Sequence, residues 1–278
     1  VDMSSGFGVA SLGHAPAAVT AALQTQSRRL CHAMGDVYPA NLKTELCRRL
    51  SQLTFERWTG GRLKGQSLLG NSGFEAVEAA LKTAMLFSKK RGVIAFEGAY
   101  HGLGYGALEA TAWPAFRRPF EKQLGHFVKF VSYPRKGEGK KSSLEKVERQ
   151  IKSILARGET GAILVEPFQG RGGEVIPPDG FLPLLRRLCD QHHALLIADE
   201  IYTGFWRTGK WFAVEHSGVM PDLICLGKAL TGCLPLSACV GRSDVMAAWP
   251  ASTGEALHTS TFLGNPLACA AALASLAE

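Results

Sequence analysis

From about residue 66 onward, short continuous apolar runs alternate with longer amphipathic stretches. Ser67–Leu69, Val93–Phe96, Phe127–Val131, Ala162–Val165, Ala194–Ala198, Leu223–Leu226 and Ser237–Val240 read as strands. Several are apolar throughout rather than at alternate positions, which predicts strands covered on both faces. Between them, Glu75–Lys89, Leu144–Arg157 and Phe181–His192 carry helical spacing, and Gly98, Gly170, Gly180 and Gly227 punctuate the ends. This order predicts an α/β fold: a mainly parallel seven-stranded sheet flanked by helices. Earlier in the chain the pattern changes, and Ala15–Arg29 and Asn41–Leu53 read as helices. The expected division is an N-terminal helical segment or arm over residues 1–60 and a larger domain over 61–278.

In open α/β sheets, ligands bind beyond the carboxyl ends of the strands. Five strands are followed there by polar or glycine-rich stretches: "GNSGFEAVEAALK", "EGAYHG", "EPFQGRGG", "DEIYTGFWRTG" and "GKALTG". In the first, a Gly-Ser-Gly turn runs straight into a helix, so free N–H groups and the helix dipole favour an anion. The same residues also make an ordinary capped helix start, and their spacing is neither that of a P-loop nor of a dinucleotide fingerprint. Asp199 ends the apolar run "ALLIADE"; a buried carboxylate there needs a cationic or proton-bearing partner, with Arg207 as the structural candidate. Lys228 has no acidic neighbour in sequence and follows an apolar strand. It reads either as a surface lysine that snorkels or as a desolvated amine suited to Schiff-base chemistry. Tyr100 and His101 follow another strand. Each feature alone has a plain structural reading. Together on one rim, an anion cradle, an aromatic face, a buried acid and a lysine suit a flat, phosphorylated, nitrogen-bearing aromatic aldehyde.

Composition narrows the classes. The 278 residues are 46% hydrophobic and 20% charged, an ordinary globular balance that allows one large domain or two modest ones. The net charge of +7 is scattered. Its densest run, around Lys136 to Lys141 in "RKGEGKK", reads as a solvated loop rather than a nucleic-acid patch, and the mild excess suits anionic small ligands. Seven cysteines, an odd number without metal-ligand spacing, read as reduced thiols of a cytoplasmic protein. No apolar run reaches membrane-spanning length, and no signal peptide is visible. The sequence opens on Val1 and stops at Glu278 within an alanine-rich helical pattern, so it reads as an excerpt from a longer chain.

At these residues the sequence resembles the class III aminotransferases of the ornithine/4-aminobutyrate type, which use pyridoxal phosphate and have fold type I. "LIADEIYTGFWRTGKWFAVEHSGVMPDLICLGKALTG" is similar to that family's long signature, and "SSGFGVASLGH", "NSGFEAVEAALK", "AYHG", "EPFQGRGG" and "STFLGNPLACAAALA" follow in family order. The resemblance implies that residues 61–278 are the cofactor-binding large domain and that a C-terminal small domain has no counterpart here. It also implies roles. Lys228 would form the Schiff base, Asp199 would pair with the pyridine nitrogen, and Gly73 and Phe74, beside Ser72, would offer N–H groups to the phosphate. Tyr100 would stack on the ring, with His101 beside it. Glu166 and Tyr202 would lie near the ring and the substrate. Thr261 would reach the phosphate of a neighbouring subunit in a homodimer, with Ser260 next to it.

Four positions depart from the family. Phe74 stands where members often carry Ser or Thr, Tyr202 where many carry Gln, and Trp206 where Gly is usual. Leu103 stands where acetylornithine-type members carry a substrate-binding Arg, which argues against acetylornithine. The resemblance implies ping-pong transfer of an amino group from an amino acid, ω-amino acid or related amine to a 2-keto acid, with Lys228 moving the proton. An aminomutase, a decarboxylating aminotransferase and a racemase share these motifs. A cofactor-binding protein without turnover is the alternative of another class. Neither a nucleic acid nor a membrane is an expected partner.

Overall fold

The computed structural model describes residues 1–35, 37–137, 140–254 and 256–278, with side chains for all of these but 140–142. Its strands are β1 (Gly65–Gly70), β2 (Gly92–Phe96), β3 (Val128–Val131), β4 (Thr160–Val165), β5 (Leu195–Asp199), β6 (Leu223–Leu226) and β7 (Ser237–Arg242). They form one sheet in the order β1-β7-β6-β5-β4-β2-β3. β7 is antiparallel to both β1 and β6, while the other pairs are parallel. β1 therefore runs with the remaining five strands. Six strands end on one rim and β7 begins there, so the rim expected from sequence exists.

Two apolar layers hold the sheet between helices, labelled α1 (Ala17–Ser27), α2 (Asn41–Ser51), α3 (Gly73–Ser88), α4 (Tyr105–Ala110), α5 (Lys140–Leu155), α6 (Phe181–His192) and α7 (Pro266–Ser275). On one face α3 buries Ala76, Val77, Ala79, Ala80 and Ala84 against Val93, Ala95, Ala162, Ile197 and Cys225. Its small side chains let the helix axis lie close to the strands, with β4, β5 and β6 buried along their whole length. On the other face Phe181, Leu185 and Leu188 of α6 and Val147 and Ile151 of α5 cover Ile94, Ile163, Leu196 and Ile224. Near the start of the chain, α2 continues through a wide turn over Gln52–Glu56 and stops at Gly60, whose φ of 61° ends the helix in left-handed backbone. α7 packs on α1 and α2. Asn265 caps α7 by accepting from Leu267 N and Ala268 N, and its amide donates to Cys31 O at 3.0 Å. Of the basic run, Glu138 and Gly139 lie outside the described residues, while Lys136 bonds Asp179 at 3.0 Å.

α4 has no counterpart in the sequence reading. No local side chain caps it. Glu78 on α3 does so from a distance, accepting from Gly106 N at 2.7 Å and Ala107 N at 3.0 Å. A Cβ at Gly106 would collide with that same carboxylate, so the glycine follows from the cap.

The sheet also contains a buried ionic junction. Asp222 accepts from Arg186 Nη1 at 2.7 Å, Arg242 Nη1 at 2.8 Å and Leu196 N at 2.8 Å. From just before β6 it joins α6, β5 and the end of β7. Removing the acid strands two guanidinium groups and a backbone donor. Asp222→Ala is expected to lower unfolding stability by about 3–5 kcal/mol in a urea titration. A loss below about 1 kcal/mol would show that water takes over the arginines' bonds.

Candidate active site

Asp199 is the last residue of β5 and only 4% exposed. Its Oδ2 accepts from His101 Nδ1 at 2.7 Å and its Oδ1 from Ile201 N at 3.1 Å. Arg207, the structural partner considered from sequence, is engaged elsewhere. Its Nη2 donates to Gly8 O at 2.7 Å, and its guanidinium stands 5.6 Å from the centroid of Tyr202. A histidine thus takes the place that sequence gave to an arginine. His101 is buried. Its backbone N donates to Thr111 Oγ1 at 2.9 Å, and its Nε2 has no partner among the described residues.

Lys228 opens a short helical turn after β6, at a φ of 35° that a side-chain-bearing residue rarely adopts. Burial pulls its ammonium below the ordinary lysine pKa. Asp199 and Glu166 oppose that shift, and Arg207 adds to it. Its Nζ stands 5.4 Å from the Tyr202 ring centroid. Glu166 is buried at the end of β4. Desolvation first, and Asp199 second, hold its carboxyl well above the usual range. Its Oε2 accepts from Tyr100 N at 3.4 Å.

The anion turn is built from behind. Glu75 Oε2 accepts the N–H groups of Asn71 and Ser72, so Ser72's own N–H is taken. The Gly73 and Phe74 N–H groups open α3 and have no acceptor among the described residues. The sequence carried a signal for Glu75 that the reading passed over: "SGFE" has capping-box spacing. Phe74 lies against the glycine loop that follows β2. A Cβ at Gly102 or Gly104 would strike its side chain. Gly104 therefore goes with the aromatic ring at 74, whereas Gly102 makes room for the Cβ of that residue.

Other expected residues are more dispersed. The Tyr100 ring is covered by Arg171, whose guanidinium lies 4.7 Å from its centroid, and meets the Phe116 edge at 5.8 Å. Nothing in the sequence reading pointed to Arg171. Leu103 is 48% exposed on the loop before α4. Ser260 Oγ accepts from Asn71 Nδ2 at 3.2 Å, beside the anion turn, whereas Thr261 is exposed. Trp206 is 57% exposed at a φ of 65°, next to Phe205 at 57°. Both residues thus occupy left-handed backbone, the region that favours glycine.

The family model "Aminotransferase class-III" matches residues 1–278. The chain belongs to the class III aminotransferases. It is 44% identical over 286 aligned residues to a putrescine aminotransferase of Pectobacterium atrosepticum, covering all of this chain and 57% of that protein. An amine transaminase from an uncultivated Pseudomonas species, solved with pyridoxal phosphate bound, superposes with a TM-score of 0.91 at 29% identity, over 100% of this chain and 66% of the other. An ornithine aminotransferase of Toxoplasma gondii gives 0.85 at 32% identity, over 99% and 61%. This class III chain therefore spans less than two thirds of the length of these relatives.

Pyridoxal phosphate is the cofactor of the family, and the residues of this class III chain fit it. Two backbone donors at a helix N-terminus have no acceptor, as a phosphate requires. A buried carboxylate stands at the rim for a ring nitrogen, and a desolvated lysine amine stands one strand away.

Proposed function

We propose that the protein moves an amino group from a primary amine or ω-amino acid to a 2-keto acid, with pyridoxal phosphate bound, by ping-pong kinetics. The carrying observation is Lys228. Its amine is desolvated, held at a strained backbone position, and shares a rim with Asp199 and the free N–H groups of Gly73 and Phe74. When bound, the cofactor supplies an aldehyde and an electron-withdrawing ring. The chain's residues do the rest. Gly73 and Phe74 hold the phosphate, Asp199 holds a proton at the ring nitrogen, and Lys228 Nζ takes the proton from the substrate carbon and returns it. Tyr100 and Tyr202 wall the site, and burial beside Asp199 raises the Glu166 carboxyl above its usual range.

The putrescine aminotransferase at 44% identity favours an amine or diamine donor, and apolar Leu103 agrees with it. Exposed Thr261, beside a Ser260 that touches the anion turn, suits a homodimer in which this loop serves the second copy. Residues 1–60 would be the arm of such a subunit. Seven free cysteines suit the reducing cytoplasm. Among the described residues, no helix is long and apolar enough to cross a membrane.

Borohydride reduction in the presence of pyridoxal phosphate, followed by peptide mapping, tests this reading. The expected result is a pyridoxyl group on Lys228. A folded protein labelled elsewhere, or not at all, would overturn it.

A further inference from the structure

Neither Tyr202, beside the lysine, nor Glu174, beyond it, holds the phosphate or the ring nitrogen. Tyr202 is wedged against backbone, since a Cβ at Gly170 or Gly8 would strike its ring, and Phe168 meets it edge-on at 5.8 Å. So held, the ring lies 5.4 Å from Lys228 Nζ while its hydroxyl donates to Glu174 Oε1 at 3.4 Å. The carboxylate thus stands one phenol ring beyond the reactive amine. Glu174 sits on the exposed turn after "QGRGG", at a φ of 53°, and no ion pair to it exists among the described residues. Two arginines are near these groups. Arg207 donates through Nη2 to Gly8 O, stands 5.6 Å from the Tyr202 ring centroid and has a buried Nε with no partner among the described residues. Arg171 lies over the rings of Tyr100 and Phe116.

We propose that Glu174 and Tyr202 form a subsite for the second, distal ammonium of a diamine whose first, reacting nitrogen is placed beside the Lys228 amine. This rests on the aminotransfer reading and narrows its donor. A ring face and an unpaired carboxylate are the two surfaces that attract an alkylammonium. The short methylene chain of putrescine would lie across the phenol, from Lys228 toward Glu174. The same carboxylate repels the terminal carboxylate of an ω-amino acid, so the subsite selects diamines against 4-aminobutyrate.

The test compares putrescine, butylamine and 4-aminobutyrate in wild type, Glu174→Gln and Glu174→Lys. Calorimetric titration of the cofactor-loaded protein is read beside steady-state KM. Wild type is expected to prefer putrescine to butylamine. Glu174→Gln still accepts from Tyr202, so the turn keeps its tether, yet the preference should fall by about tenfold. Glu174→Lys should shift preference toward 4-aminobutyrate. Equal affinity of wild type for putrescine and butylamine, or a preference that survives both substitutions, would overturn the subsite. If putrescine binds selectively and Glu174→Gln removes that selectivity while no keto acid is aminated, the subsite stands and the aminotransfer reading falls.

Discussion

Lys228→Ala is expected to remove transamination, with kcat lower by on the order of 10⁴-fold, while pyridoxal phosphate still binds. The separation follows from where the parts sit. The phosphate's donors, Gly73 and Phe74, are backbone groups of α3, fixed by Glu75 from behind, and owe nothing to Lys228. The lysine brings only its amine. Burial biases that amine toward its neutral, proton-accepting form, and Asp199 and Glu166 limit how far the bias goes. Two neighbouring groups that could otherwise move a proton are engaged. The His101 ring is committed to Asp199, and Tyr202's hydroxyl faces Glu174. Added small amines such as methylamine should restore part of the rate, because the vacated space then admits a free base. Near-normal turnover in Lys228→Ala without added amine would remove Lys228 from the chemistry. Loss of cofactor binding together with turnover would instead make the lysine chiefly a tether.

The sheet was legible because its strands are continuous apolar runs, and burial on both faces requires such runs whatever the fold's details. Every expected strand exists; six ends extend by one or two residues where a neighbouring strand supplies a ladder partner, six coincide, and β3 and β5 start one residue later. β7 reaches Arg242, for example, because Gly65 of β1 pairs with it. Helices with a long apolar stripe, α3 and α6, were equally visible. α4 was not, because its stabilising cap comes from Glu78, far away in sequence. The site divides along the same line. Lys228, Asp199 and the turn at Gly73 could be read locally, as a charge beside an apolar run or a glycine before a helix. Their partners could not. His101 meets Asp199 only because β2 and β5 bring their carboxyl ends to one rim, and no spacing along the chain announces that pair. Arg171 over Tyr100, and Glu174 at the Tyr202 hydroxyl, are likewise contacts between separate loops.

Asp199 is where the second large effect is expected, and its variants separate charge from shape. Asp199→Ala should reduce kcat by on the order of 10³-fold, the scale seen when one preorganised electrostatic partner of a developing charge is deleted. Asp199→Asn keeps the volume and can still accept from Ile201 N through its carbonyl oxygen. Its amide nitrogen would then face His101 Nδ1, which donates to Oδ2 in the native site at 2.7 Å. Two donors cannot share that bond, so the imidazole must move its proton to Nε2. That nitrogen is buried and has no acceptor among the described residues. The asparagine variant therefore loses the carboxylate and also strands a donor. It should be about as slow as the alanine variant and less stable to urea. Replacing His101 by Asn in the Asp199→Asn background should recover stability without recovering rate, since the donor conflict disappears and the missing charge does not. If Asp199→Asn turns over at the native rate, the ring-nitrogen role is wrong and the His101–Asp199 pair is a structural bond between β2 and β5. If the double variant recovers rate as well as stability, the effect of Asp199 lies in positioning the rim rather than in its charge.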